Sequence, residues 1–335
     1  MITDPEECGT SSNMTGKIQF KIMGGENASP GEMSWAVALF HGRVYLCTGT
    51  LISRKHVITA AHCFKKLFIT KPCNISFGYH QEEALKKYSI LYGSNCIQQR
   101  DENFCNDAPE MKTRKIIRAQ YGRFFNEECR MADFALLELD EIIEEPLTNY
   151  ICLWHRNIVR EVDQIRLTGY GWGSILTYDE EKPANNLQLV NFPKTMNRLR
   201  CLQISKTKDA ICAVESSEAS TCQGDSGGGL AVLGSTGQWS LLGVLSHGTD
   251  CKQLRRGEPP RALVYTDISL YAMDIDVFTG YDSVLRRLYL KNFAIQRMTN
   301  ILNNLMTNIL NNLMTYCHSN GGSEFLHKVR VKAIV

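Results

Sequence analysis

The chain lacks a long apolar segment, an excess of charge of one sign and a paired-cysteine metal motif. No run approaches the roughly 18–20 apolar residues that a membrane-spanning helix needs, so a membrane association is not expected. Residues 1–21 contain no apolar run of signal-peptide length, so either a leader is missing from this chain or its start is misplaced. The net charge is +2 with both signs interspersed, which gives no reason to expect a nucleic-acid partner. No Cys-x-x-Cys pair occurs, and His62 and Cys63 are adjacent, so we expect no metal.

Cysteine, in contrast, is abundant, with thirteen residues spread along the 335-residue chain. This is many for a cytosolic enzyme, and it indicates disulfide bonds and an oxidising, extracellular compartment. Glycosylation sequences at Asn13, Asn27 and Asn74 agree with a secreted glycoprotein, although Pro30 makes the second the least favourable. With 44% hydrophobic and 21% charged residues, the composition is that of an ordinary globular protein.

The most informative segment is residues 222–228, which read Cys-Gln-Gly-Asp-Ser-Gly-Gly. A serine between glycines can lie on a tight turn, where the backbone N–H groups of Gly224 and Ser226 converge to hold the oxyanion of an acyl-transfer intermediate. A serine hydroxyl is a weak nucleophile that needs a base, and the base needs an orienting acid. The candidates are His62 in Thr-Ala-Ala-His-Cys and Asp133 in Met-Ala-Asp-Phe-Ala-Leu-Leu. The alternative is an ordinary serine in a glycine-rich turn.

These motifs, in the order His, Asp, Ser, resemble those of the chymotrypsin-like (trypsin-like) serine peptidase family over about residues 22–276. The resemblance implies that Ser226 attacks the scissile carbonyl, that His62 takes its proton and that Asp133 orients the imidazole. Gly224 and Ser226 would form the oxyanion hole, and no cofactor is implied. The implied fold is all-β, with two antiparallel six-stranded β-barrels of the chymotrypsin-like type and a C-terminal helix.

Apolar runs along the chain agree with an antiparallel all-β fold. They predict strands at residues 35–40, 44–51, 57–60, 164–168, 187–192, 209–214, 239–245 and 262–266. A closing helix is predicted at 267–278, because apolar residues there recur at helical spacing.

The segment Lys21-Ile22-Met23-Gly24-Gly25 resembles the activation site of the same family. Cleavage after Lys21 would free an ammonium group on Ile22, which in the family pairs with the aspartate before the nucleophile, here Asp225. We therefore predict an activation peptide at 1–21, a peptidase domain at 22–279 and a C-terminal extension at 280–335. The extension contains an octapeptide repeat at 298–313, which is either helical or disordered, and we assign no activity to it.

The resemblance also implies four disulfide bonds, which are Cys47–Cys63, Cys201–Cys212, Cys222–Cys251 and Cys8–Cys152. The last would keep residues 1–21 attached after activation. Four further cysteines between the histidine and aspartate motifs allow three pairings. We favour Cys96–Cys105 with Cys73–Cys129, which leaves Cys317 free or intermolecular.

Primary specificity is expected to differ from that of trypsin-like enzymes, which carry an aspartate six residues before the nucleophile. Ser220 occupies that position, so no negative charge is expected at the pocket base. The pocket walls fall at Gly248 and Leu263, and the leucine would shorten or block the pocket. Gly248 would also bind the substrate backbone, which would add as a strand. Ser246 would donate a hydrogen bond to the triad aspartate. His247, beside the pocket wall, replaces the tryptophan that is usual in the family. We therefore predict small or medium apolar residues on the acyl side of the scissile bond.

The sequence as a whole predicts a secreted serine endopeptidase that is made as a zymogen. Its expected partners are a protein or peptide substrate, an activating protease and protein inhibitors. A second hypothesis is a non-catalytic or weakly active binding protein on a peptidase fold. A third, a membrane-surface protein that uses its tail, rests on the repeat alone, whose asparagines are poor helix formers.

Overall fold

The computed structural model describes residues 8–11, 25–67, 79–98, 105, 108–122, 125, 131–144, 148–153, 166–176, 181–216, 220, 222–234 and 237–280. The chain divides into two units, Met1–Tyr281 and Asp282–Val335. The predictions for Lys21, Ile22, the Cys73–Cys129 pair, Cys317 and the repeat all lie outside the described residues.

Within the described ranges the protein is mainly β-structure with a few short helices. The strands are β1 (Glu26–Asn27), β2 (Ala36–His41), β3 (Val44–Leu51), β4 (His56–Thr59), β5 (Tyr79–Gln81), β6 (Tyr88–Tyr92), β7 (Lys112–Tyr121), β8 (Ala135–Leu139), β9 (Cys152–Leu153), β10 (Arg166–Gly171), β11 (Ser174–Leu176), β12 (Glu181–Pro183), β13 (Gln188–Phe192), β14 (Ala210–Ala213), β15 (Gly229–Leu233), β16 (Trp239–His247) and β17 (Leu263–Asp267). The α-helices are Glu82–Leu85, Arg198–Ser205, Cys251–Arg255 and Ala272–Thr279, and the 3₁₀-helices are Ala61–Leu67 and Ile268–Tyr271.

The first half of the chain forms a closed barrel. Its strands follow the order β7-β6-β2-β3-β4-β8, and β8 pairs back with β7 to complete a six-stranded antiparallel ring. Strand β2 shows why the ring encloses a core, since Val37, Ala38 and Leu39 are all fully buried. Closure removes free strand edges, so the ring holds the loops at its ends in fixed positions.

The second half forms a sheet in the order β1-β13-β10-β15-β16-β17-β14, with the short strand β9 parallel to β16. Without the short strand β1, this order is a run of six strands from β13 to β14. An antiparallel bridge between Thr195, just after β13, and Ala213 of β14 brings the two ends of the run together. The predicted fold of two six-stranded barrels is confirmed.

The C-terminal helix Ala272–Thr279 is also confirmed, and it contacts the first barrel. Arg118 Nη2 donates to the carbonyl oxygen of Phe278 at 2.7 Å, and its guanidinium lies 4.2 Å from the centre of the Phe278 ring. The first turn of the predicted helix is a separate 3₁₀-helix, Ile268–Tyr271, capped by the Asp267 side chain. Among the described residues no helix is both long and apolar enough to cross a membrane.

Candidate active site

His62 lies on a 3₁₀-helix that begins directly after strand β4 of the first barrel. The turn is anchored to the neighbouring strand β3 by the disulfide Cys47–Cys63. Sulfur atoms of that disulfide and the His62 ring form a group of three potential metal ligands in the described part of the chain. Both cysteines are bonded to each other, however, so neither is a thiolate ligand.

Asp133 precedes strand β8 and is held from the opposite barrel. The residue before it, Ala132, has a φ of 56°, a left-handed conformation that is uncommon for a residue with a side chain. Its N–H donates to Asp209 Oδ2 at 2.7 Å, and the Tyr271 hydroxyl donates to the same oxygen at 2.7 Å. Asp209 precedes β14, so the second barrel fixes the backbone that presents Asp133. Sequence analysis missed this support, because nothing in the local motif points to residue 209.

Asp133 and His62 form a two-point contact. The His62 backbone N–H donates to Oδ1 at 3.0 Å, and the ring Nδ1 lies 2.7 Å from Oδ2. Ser246 Oγ donates to the same Oδ2 at 2.6 Å. Burial raises the pKa of Asp133, but the charge and hydrogen bonds of His62, together with the Ser246 hydrogen bond, outweigh burial and hold the pKa below its usual range. The aspartate is therefore ionised and fixes the orientation of the imidazole.

A strand irregularity aims Ser246 at the aspartate. The register between β16 and β17 shifts between Leu245 and His247, so Ser246 is left over from the regular pairing. Such bulges commonly redirect a side chain near a functional site. The ring Nδ1 of His247 lies 3.1 Å from Ser246 Oγ, which extends the hydrogen-bonded chain by one more group.

Ser226 lies on a turn that packs against the strand leading to His62. Its carbonyl oxygen accepts from the Thr48 N–H at 2.9 Å. The next residue, Gly227, has a φ of 82°, and a Cβ there would overlap the backbone of Thr48 and approach the nitrogen of Ala60 to 2.9 Å. Only glycine permits this approach. Among the described contacts the Ser226 hydroxyl makes no hydrogen bond to the His62 ring, a bond that is often long before substrate binds.

The serine turn has two backbone N–H groups, of Gly224 and of Ser226 itself, that could hold an oxyanion. Within the described part of the chain, neither the Gly224 N–H nor the Ser226 N–H donates a hydrogen bond. Gly224 has a φ of 102°, and its carbonyl oxygen accepts from the Tyr45 hydroxyl at 2.7 Å and from Thr48 Oγ1 at 3.4 Å. These bonds fix the turn from the first barrel and leave both donors for a ligand.

Comparison with known proteins agrees with this arrangement. A family model described as Trypsin matches residues 22–273. The chain belongs to the trypsin family. It is 30% identical over 291 residues to the trypsin-like protease try-5 of Caenorhabditis elegans, covering 78% of this chain and 88% of that protein. It is 28% identical over 284 residues to kallikrein-8 of Rattus norvegicus, with the same coverage of 78% and 88%. Coagulation factor IX of Cavia porcellus is 30% identical over 264 residues, covering 75% and 79%.

Asp225, the residue before the serine in this trypsin-family chain, is buried and has no cationic partner among the described residues. Its Oδ1 accepts from the Gly173 N–H and its Oδ2 from the Cys222 N–H, each at 2.7 Å. Burial raises the pKa of Asp225 to about 6, although the two hydrogen bonds act in the opposite direction. No basic side chain forms an ion pair with it within the described ranges.

Ser220, which the family resemblance predicts at the base of the primary pocket, contacts a carboxylate. The hydroxyl of Ser220 donates to Glu215 Oε1 at 2.6 Å, and both residues are buried. A carboxylate therefore lies beside Ser220, although residue 220 itself carries no charge. Sequence analysis missed Glu215 because it belongs to none of the motifs, and only the course of the chain between β14 and Ser220 places it there.

Leu263, which is predicted to line the pocket, lies beside Gly248. It begins strand β17 and is fully buried. A Cβ on Gly248 would lie 2.5 Å from Leu263 Cδ2 and 3.4 Å from Glu215 Oε1. The leucine methyl therefore occupies the space beside Gly248.

Five disulfides lie within the described residues. Four are the pairs that the family resemblance implies, namely Cys8–Cys152, Cys47–Cys63, Cys201–Cys212 and Cys222–Cys251. The fifth, Cys96–Cys105, is the pairing favoured among three alternatives. The Cys222–Cys251 bond joins the start of the serine turn to the helix Cys251–Arg255 and so braces the pocket.

Proposed function

We propose that the protein is a secreted serine endopeptidase that acts through Ser226, His62 and Asp133. The observation that carries the proposal is the hydrogen-bonded chain from Ser246 through Asp133 to His62. It lies in one structure with a serine turn whose two N–H donors bind no other described residue. Family membership supports hydrolase chemistry of this type. The disulfides support an oxidising, extracellular location.

In the proposed reaction a protein or peptide substrate lies along Gly248 with its scissile carbonyl next to Ser226. The Ser226 hydroxyl gives its proton to His62 Nε2 as the oxygen attacks the carbonyl carbon. The oxyanion is held by the N–H groups of Gly224 and Ser226, which donate no hydrogen bond to another described residue. His62 then protonates the leaving amine. Water then gives a proton to His62 as its oxygen attacks the acyl carbon. The bond to Ser226 breaks, the acid leaves, and His62 returns the proton to the Ser226 oxygen.

Activation is proposed to follow cleavage after Lys21 by another protease. The new ammonium group of Ile22 would supply the cation that buried Asp225 lacks among the described residues. A buried carboxylate without a cation is costly, so the incoming charge would stabilise the serine turn that begins at the next residue. Protein inhibitors are further proposed partners.

The pocket supports a preference for small or medium apolar residues on the acyl side of the scissile bond. Leu263 Cδ2 occupies the space beside Gly248 and leaves little depth for a long side chain. This limit comes from the volume of the Leu263 side chain.

The function is tested by labelling with a fluorophosphonate probe, which phosphonylates activated serines. We expect no labelling of the uncleaved protein, strong labelling after cleavage at Lys21, and none in cleaved Ser226→Ala, since the variant lacks the attacking oxygen. If the cleaved, disulfide-bonded protein stays unlabelled, the peptidase proposal fails. The protein is then best explained as a non-catalytic binding protein with a filled pocket.

The disulfide Cys8–Cys152 predicts that cleavage at Lys21 leaves residues 1–21 attached. The Gly9 N–H donates to the Tyr150 carbonyl oxygen and the Trp239 N–H to the Gly9 carbonyl oxygen, each at 2.9 Å, so this short segment also lies along the second barrel. Mass spectrometry of the cleaved protein should show one species without reductant and two with it. The variant Cys8→Ser with Cys152→Ser is the control and should lose the fragment under denaturing conditions without reductant. Loss of the fragment from the unreduced wild type would contradict the tether.

A further inference from the structure

Glu215 is a buried carboxylate below the primary pocket, and four donors converge on it. Its Oε1 accepts from Ser220 Oγ at 2.6 Å and from the Thr249 N–H at 3.3 Å. Its Oε2 accepts from Thr249 Oγ1 at 2.5 Å and from the Arg261 N–H at 3.1 Å. A carboxylate has about four lone-pair sites and no donor when it is ionised. Four donors therefore suit the charged form of this group.

In the part of the chain that the structure describes, the Glu215 carboxylate accepts hydrogen bonds from neutral groups and forms no ion pair. Its contacts are two hydroxyl groups and two backbone N–H groups, and Arg261 contributes only its backbone. Buried carboxylates are normally paired with a cation. The charge at this position is therefore available to a cation that reaches the pocket base.

Leu263 and this carboxylate both lie beside Gly248. Measured from a Cβ on Gly248, the Leu263 Cδ2 methyl is 2.5 Å away and Glu215 Oε1 is 3.4 Å away. Of the two groups, the leucine methyl therefore lies nearer to Gly248. Because Leu263 is fully buried in a strand that pairs with β14 and β16, it has no space to withdraw into.

The hydrogen bonds of Glu215 also set the size of the pocket. They join Ser220, the Thr249 segment after β16 and the Arg261 segment before β17 around one charge. Each segment is separate in sequence, so the pocket cannot widen at its base unless bonds to this carboxylate break.

We propose that Glu215 is a specificity-determining residue of the primary pocket. Its carboxylate fixes the pocket base, and Leu263 covers it, so the protein accepts glycine or alanine on the acyl side of the scissile bond. The same carboxylate is a binding site for a cationic substrate side chain, but Leu263 blocks access to it. We call it the concealed site. This inference rests on the proposed peptidase function and narrows its substrate class.

The test compares the cleaved wild type with three variants. Leu263→Gly removes the cover, and Leu263→Gly with Glu215→Gln removes the charge as well. The matched control is Leu263→Gly with Glu258→Gln. It neutralises an exposed carboxylate in the segment between β16 and β17, which also contains Arg261. Each protein is incubated with a peptide library, and the cleaved bonds are read by mass spectrometry.

We expect the wild type to cleave after glycine and alanine. Leu263→Gly should gain at least about 10-fold in cleavage after lysine or arginine relative to alanine, because the opened pocket exposes the charge. The Glu215→Gln double variant should lose that gain, and the Glu258→Gln control should keep it. Wild-type cleavage after lysine or arginine would overturn the proposal. So would a gain in Leu263→Gly that is confined to leucine and phenylalanine, or a gain that survives Glu215→Gln.

A binding measurement separates this proposal from the peptidase proposal. The fluorescent cation p-aminobenzamidine needs the pocket but no active serine, so it is titrated into the same four proteins carrying Ser226→Ala. We expect Leu263→Gly and its Glu258→Gln control to bind at least about 10-fold more tightly than the wild type or the Glu215→Gln double variant. Equal affinity in all four would overturn the assignment of Glu215. Cation binding without fluorophosphonate labelling of the serine-containing proteins would overturn the peptidase function while the concealed site stands.

Discussion

Replacing Asp133 by asparagine is expected to lower kcat/KM of the cleaved protein by about 10,000-fold while the fold is retained. The carboxylate accepts from the His62 backbone N–H on Oδ1 and faces the His62 ring on Oδ2. An asparagine amide offers only one acceptor oxygen, and that oxygen must face the backbone N–H, which can only donate. The amide NH₂ then faces Nδ1 and forces the ring proton onto Nε2. In that tautomer His62 cannot take the proton of Ser226.

The measurement is kcat/KM for a peptide substrate together with the rate of fluorophosphonate labelling, and the thermal midpoint reports on the fold. Ser246→Ala is the matched control, because it removes one donor to the same Oδ2 but leaves the charge and the tautomer. We expect that control to lose about 10-fold, as for one hydrogen bond to a charged group. If Asp133→Asn lost no more than Ser246→Ala, Asp133 would not be the residue that sets the tautomer of His62.

The fold could be predicted from the sequence wherever apolar runs coincide with strands. Strand β3 was predicted with its observed bounds, 44–51, and β2 and β13 within one residue. Strand β7 was not predicted, because its first half, beginning at Lys112, is largely exposed and charged, and its apolar residues come late. Strand β6 was missed as well, although Tyr88, Ile90 and Tyr92 alternate inward. A period of two over five residues is a weak signal when turn residues do not bound it clearly.

The residues of the candidate site could be predicted where they lie within short sequence motifs. His62, Asp133 and Ser226 each lie within a local motif, and their hydrogen-bonded surroundings depend on short segments. Glu215 and Asp209 could not be found in this way. Each acts through contacts with a distant segment: Glu215 contacts Thr249 within the second half of the chain, and Asp209 contacts Ala132 across the two barrels, so only the folded chain brings these residues together.

The stability of the uncleaved protein is expected to fall as the pH rises from about 4 to 6, because Asp225 is buried. Its pKa is raised to about 6 in the folded chain, whereas an unfolded aspartate titrates near 4. The folded state therefore binds this proton more tightly, and its contribution is complete below pH 4 and lost as the pH passes 6. A difference of roughly two pKa units corresponds to about 3 kcal/mol in the free energy of unfolding.

Urea unfolding of the uncleaved protein between pH 4 and 7 measures this loss, with Ser226→Ala as the background to prevent self-cleavage. Asp225→Asn in that background is the control, because the amide is neutral at every pH. The difference in free energy of unfolding between the two should change by about 2 kcal/mol from pH 4 to pH 6, because the two ends of this range each retain part of the full effect. A difference that is constant with pH would show that the carboxylate already has a cationic partner before cleavage.

Cleavage after Lys21 should remove this pH dependence, since the Ile22 ammonium would lower the pKa of Asp225 and stabilise its charged form. In the cleaved enzyme with an intact Ser226, Asp225→Asn should then reduce kcat by about 100- to 1,000-fold, the cost of a misplaced oxyanion donor. The loss should fall on kcat more than on KM, because the Gly224 N–H acts on the oxyanion of the transition state. If instead KM rose with kcat unchanged, Asp225 would act on substrate binding, and the ammonium of Ile22 would have no part in forming the oxyanion hole.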